Sequence, residues 1–99
     1  MSGFENRFEW DGHKDEINRR KHGIAFETAK LVFDDPNCLT FIDRIEDGEE
    51  RWHAIGAVLG TLIIVVVHTC RTMDSIDIIR IISARRATPQ ERKLYVKTI

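Results

Sequence analysis

Arg80 stands among isoleucines in the run Ile78-Ile79-Arg80-Ile81-Ile82, with Arg71 upstream and the pair Arg85 and Arg86 just beyond. Strand side chains alternate between faces, so a strand here sends Arg80 out with Ile78 and Ile82, and Ile79, Ile81 and Ser83 the other way. A guanidinium held on a sheet is a permanently charged planar fork of donors. It suits a phosphodiester and the charge that builds on phosphorus during transfer. The same arginine also fits a structural pairing with one of the chain's many carboxylates. A hairpin joining the strands of Arg71 and Arg80 brings both to one region. Arg85 and Arg86 extend that region, as phosphate contacts or as a solvated strand exit.

A second group lies upstream. Between Asp11 and His22 the acid-before-base pairs Asp15 with Arg19 and Glu16 with Arg20 sit at i,i+4 and form a solvated helix face. The opposite face holds Lys14, Ile17, Asn18 and Lys21, with His22 beside it. One isoleucine is little reason to turn that face inward, so its polar groups either bond to the protein body or border a site. His22 also fits a plain helix C-terminus, where the dipole favours it. Glu50 lies in an acidic stretch where a carboxylate is ordinarily solvated. Trp10, Trp52 and Tyr95 can stack bases, although core packing is the commoner use of such rings. His53, His68 and Cys70 lack a second close ligand pair, so no metal site is expected.

The elements that must position these residues follow from periodicity. "FENRFEW" can form a short first strand, Asp11 caps a helix through His22, and Gly23 ends it. Phe26, Ala29, Val32 and Phe33 recur at helical spacing in a second, short helix stopped by "DDP". "LTFID", "ERWHAIGAVL", "LIIVVVHTCR" and "IDIIRIISA" are β-rich runs punctuated as an antiparallel meander. "TPQE" is a capping box, with Thr88 at N-cap, Pro89 at N1 and Glu91 at N3, so a last helix runs from Pro89 toward Lys97. The expected fold is α+β: two N-terminal helices and a C-terminal helix on a four-stranded antiparallel sheet.

Composition sets the bounds. At 99 residues the chain fits one domain, 1–99. Its longest apolar run, Leu62 to Val67, falls far short of the roughly 20 residues of a membrane span. No secretory signal is visible, so a cytoplasmic protein with reduced Cys38 and Cys70 and no membrane partner is expected. The net charge of -1 and pI near 6.4 count against a strongly basic nucleic-acid binder. Charge is nevertheless segregated, with acids crowded between Asp34 and Glu50 and bases in excess from Arg71 onward.

The segments "FEWD", "KDEINRRKHGIAF", "VFDDP", "ERWHAIG", "LIIVVVHTCR" and "IRIISARRATPQERKLY" together resemble the BrnT family of bacterial toxins over nearly the whole chain. The resemblance implies a RelE-like fold and metal-independent endonucleolytic RNA cleavage that inhibits translation. No cofactor is implied. The implied partners are RNA and a BrnA-like ribbon-helix-helix antitoxin, with DNA engaged only through the antitoxin complex. It assigns phosphate stabilisation to Arg80 and Arg71, supported by Lys21 and Arg85, and proton transfer to His22 and Glu50. Arg85, Arg86 and Lys14 are the implied RNA contacts. One departure stands out: many family members read Tyr-Thr-Glu-Arg where this chain reads His68-Thr69-Cys70-Arg71, so that either His68 takes over proton transfer and the mechanism alters, or the activity is abolished. The competing function is a non-catalytic module of the same fold that represses its operon together with the antitoxin.

Overall fold

β-branched runs and short turns dictate a sheet in the computed structural model, which describes residues 5–97 and 99. The elements are β1 (Glu5–Glu9), α1 (Gly12–His22), α2 (Phe26–Ala29) continuing as a 3₁₀ segment (Lys30–Asp34), β2 (Leu39–Glu46), β3 (Glu49–Val58), β4 (Leu62–Met73), β5 (Ile76–Arg86) and α3 (Pro89–Lys97). The meander β2 to β5 is antiparallel, as its turns require. Asp47–Gly48 and Asp74–Ser75 both place two successive residues at positive φ, the geometry of tight hairpins.

Two expectations need correction. The sheet has five strands in the order β1-β5-β4-β3-β2, and it is mixed because β1 pairs with β5 in parallel. The hairpin leaves β5 with an unpaired edge; β1 takes it, and Phe8 thereby reaches Phe33, ring centroids 5.4 Å apart. The second helix is a single α-turn that tightens into 3₁₀ geometry, a common way to end a helix against a turn.

Helices cover both faces. Ile24, Phe26, Ala29 and Val32 pack on Ala54, Val58, Ile64, Val66, Ile81 and Ala84. On the other face α3 and its approach bury Tyr95 and Ala87 against Ile55 and Val65. The capping box forms as expected: the Thr88 N–H donates to Glu91 (2.8 Å) and the Glu91 N–H to Thr88 (3.2 Å).

Two side chains complete the sheet where strands run out. Asn18, only 5% exposed, donates to the carbonyl of Ala84 and accepts its N–H, 2.9 and 3.1 Å, standing in for a strand partner beyond the end of β1. It also donates to the carbonyl of Ile24 (2.9 Å). Asp35 does the same for β3, accepting the Ala57 N–H (2.8 Å) and the Tyr95 hydroxyl, which ties the two layers together. Burial pushes the Asp35 carboxyl up, but donors on Ala57, Tyr95 and Asn37 outweigh it and hold it below the ordinary carboxylate range. The same contact pushes the Tyr95 hydroxyl up to about 12. No helix among the described residues is long and apolar enough to cross a membrane.

Candidate nucleic-acid interface

The register decides which residues share a surface. Ile79 and Ile81 are buried toward α2, so Arg80 and Ile78 face the α3 side. Arg80 lies opposite Thr69 on β4 and Glu9 on β1, and Ile78 opposite Arg71 and Arg7. α3 covers only the end of this face around Ile55 and Val65, and the other end is open. A register shift between Val67 and His68 leaves Ile82 as the extra residue of β5, so Ser83 and Arg85 join the same face through their partners Val67 and Val65.

Arg80 is exposed and makes no hydrogen bond or ion pair among the described residues. It lines a hollow of about 260 Å³ with Glu9, Trp10 and Asp11. Both carboxylates there are engaged elsewhere. Glu9 accepts from Arg71 at 2.6 Å, and Asp11 caps α1 through the N–H groups of His13 and Lys14, which hold its carboxyl below the ordinary range. The guanidinium of Arg80 is therefore available.

Farther along the β5 edge, Lys14, Lys21 and His22 line a hollow of about 180 Å³ with Ile17, Asn18, Ile82 and Ser83. The polar face of α1 thus divides: Asn18 bonds to the body, and Lys14, Lys21 and His22 line the hollow. Arg85 is on the face but its fork is taken by Glu91, at 2.7 and 2.9 Å. That pair holds Glu91 down to about 2.

Other expected residues lie apart. Arg86 pairs with Ile64 and so falls on the opposite face at the strand exit. Glu50 is exposed beyond the last β3–β4 pair, Trp52 with His68, and alternation puts it opposite Arg51. His68 is 5% exposed on the α2 side, edge-on to Phe33 at 4.9 Å, and its desolvated ring is held below the ordinary imidazole range. It cannot meet a phosphate held by Arg80, because the sheet lies between them. His53 and His68 likewise point to opposite faces. Among the described residues no three His, Cys, Asp or Glu side chains gather to hold a metal.

Trp10 stacks edge-on against Phe26 (6.1 Å) and Tyr95 is buried, so both serve the core. Two residues of the open face carry no signal of that role in the sequence. Arg51 sits beside Glu46 and Glu49, at 3.2 and 3.8 Å. His53, a ligand candidate by sequence, shares the open face with Arg80 and lies 3.5 Å from Asp43. Alternation along β3 was visible, but not which end of that face α3 would leave open.

This arrangement, an uncovered sheet face with a free arginine and a hollow of two lysines and a histidine at its edge, suits a polyanion held against groups able to move protons. Comparison with known proteins gives the family. Residues 10–91 match the family model described as the ribonuclease toxin, BrnT, of type II toxin–antitoxin systems. No curated protein matches the chain. The 1.1 Å crystal structure of the Brucella abortus ribonuclease toxin, BrnT, is 26% identical, with a TM-score of 0.63 over 85% of this chain and 97% of that one. The chain belongs to the BrnT family of ribonuclease toxins of type II toxin–antitoxin systems.

Proposed function

We propose that this chain cleaves RNA endonucleolytically, without a metal, on the open sheet face, and so inhibits translation in the cytoplasm. The observation that carries the reading is the exposed guanidinium of Arg80, unpaired among the described residues, on a face whose other end is sealed by α3. In this reading the ribose 2′-hydroxyl attacks the adjacent phosphorus, and Arg80 stabilises the charge on the phosphorane-like transition state. Arg71, oriented by Glu9, and Lys21 support it, while Lys14 holds a flanking phosphate. His22, in the same hollow as Lys21, accepts the 2′ proton.

The toxin–antitoxin family implies a protein partner. A BrnA-like ribbon-helix-helix antitoxin with an acidic segment is the reading that fits a cationic face, and operator DNA is then bound through the complex. The decisive experiment is cleavage of a defined RNA by purified protein with and without chelator. Cyclic phosphate ends formed equally in both support the reading. Intact RNA in both, with antitoxin still tightly bound, would make the chain a non-catalytic repressor module instead.

A further inference from the structure

Release of the 5′ oxygen needs a proton donor, a role that the proposed mechanism has not yet given to any group. We infer that His53 is that donor, positioned by Asp43 on the far side of the bound phosphate from His22. The inference rests on the ribonuclease reading and adds a catalytic residue to it.

The sheet register lines these residues up. His53 on β3 pairs with Val67 on β4, and Val67 pairs with Ser83 on β5. Ser83 in turn lines the hollow that contains Lys21 and His22. One row across the sheet therefore runs from the imidazole of His53 to the hollow that His22 of α1 lines, with the valine and the serine as its floor. Two strand spacings separate His53 from Ser83, roughly 10 Å between backbones. Side chains rising from one face can lean toward one phosphate across that span.

Both irregularities of this sheet fall at the ends of the row. β2 shifts register at Asp43, between Ile42 and Arg44, and β5 shifts between the partners of Val67 and His68, beside Ser83. Bulges re-aim side chains and are over-represented next to active sites. Here the first bulge brings the Asp43 carboxylate to 3.5 Å from His53 Nε2. Phe41 fixes the ring from its side, edge-on at 5.4 Å. Neither ring nitrogen makes a further polar contact among the described residues, so Nδ1 is left to act.

The step balances. His22 takes the 2′ proton, the O2′–P bond forms, the P–O5′ bond breaks, and O5′ takes the proton of His53. The products are a 2′,3′-cyclic phosphate and a 5′-hydroxyl end. Asp43 does not touch the reacting atoms and is a positioning residue.

The test uses two RNA substrates, one ordinary and one with sulfur in place of the leaving 5′ oxygen. A thiolate departs without a proton. His53→Gln is expected to slow the ordinary substrate on the order of 10²–10⁴-fold and to cleave the sulfur substrate at close to the wild-type rate. His22→Gln should be slow on both. Asp43→Asn, which keeps the imidazole, should slow only the ordinary substrate and to a smaller degree. His53→Gln matching wild type on ordinary RNA would overturn the inference, as would slowness on both substrates with an unchanged thermal midpoint. If His53→Gln fails to fold, Asp43→Asn decides: no relief by sulfur overturns the inference. A wild-type chain that cleaves neither substrate would overturn the ribonuclease reading, and this assignment with it.

Discussion

Arg80 and Asn18 show two opposite fates for a polar side chain on this fold. Arg80 is exposed and unpaired among the described residues, so truncating it orphans no carboxylate. Arg80→Ala is expected to lose about a hundredfold or more in RNA cleavage, the scale of removing one transition-state donor. Its thermal midpoint should barely change. A large loss of stability with cleavage per folded molecule retained would make Arg80 scaffolding. Asn18 is buried and serves both backbone groups of Ala84 and the carbonyl of Ile24. Each buried group left unpaired costs roughly 1–3 kcal/mol. Asn18→Ala is therefore expected to destabilise by about 3 kcal/mol or more in denaturant unfolding. A loss below about 1 kcal/mol would show that water replaces the amide at the β5 edge.

At the scale of elements, α3 is held by one carboxylate with two duties. Glu91 closes the capping box with Thr88 and takes both arms of Arg85, the bond that does most to depress its proton affinity. A depressed carboxylate contributes stability above its ordinary value, here 4.5, and loses it as pH falls through the folded value of about 2. Wild-type stability should therefore drop between those two values. Glu91→Gln should start lower and fall less over the same window, because its share is already gone. Parallel acid-unfolding curves for the two proteins would show that Arg85 finds another partner. The same pair explains why Arg85 is a weaker candidate for phosphate contact than Arg80, although both stand on one strand and one face.

For the molecule as a whole, a net charge of -1 hides a division of labour. The β2–β3 hairpin carries much of the acid, while cations gather on the open face and at the β5 edge. A binder of this kind should depend on salt, since each phosphate neutralised releases counterions. A cognate antitoxin bound to the folded state stabilises it by mass action, about 4 kcal/mol at a thousandfold excess over Kd. For a domain this small that corresponds to more than about 10 °C in midpoint. Co-expression from the native operon should therefore give a complex that melts well above the isolated chain. Identical melting would argue that the partner does not bind the folded face.

Local grammar determined much of this protein from sequence alone. The Asp11 cap, the Gly23 stop, the Thr88–Glu91 box and the antiparallel meander are interactions within a few residues or between hairpin neighbours. Alternation likewise put Arg80 opposite Ile79 and Ile81, because a strand allows nothing else. The resemblance to the toxin family was legible for the same reason, being carried by contiguous segments. Tertiary structure decided what depends on partners far apart in the chain. It placed β1 beside β5, sent α3 to the face opposite α2, and gave Arg85 to Glu91. It also separated His68 from Arg80 by the thickness of the sheet and brought His53 onto the arginine face. Those outcomes rest on which sheet edge is free and which face a helix covers, and both are settled only when the layers close over their cores.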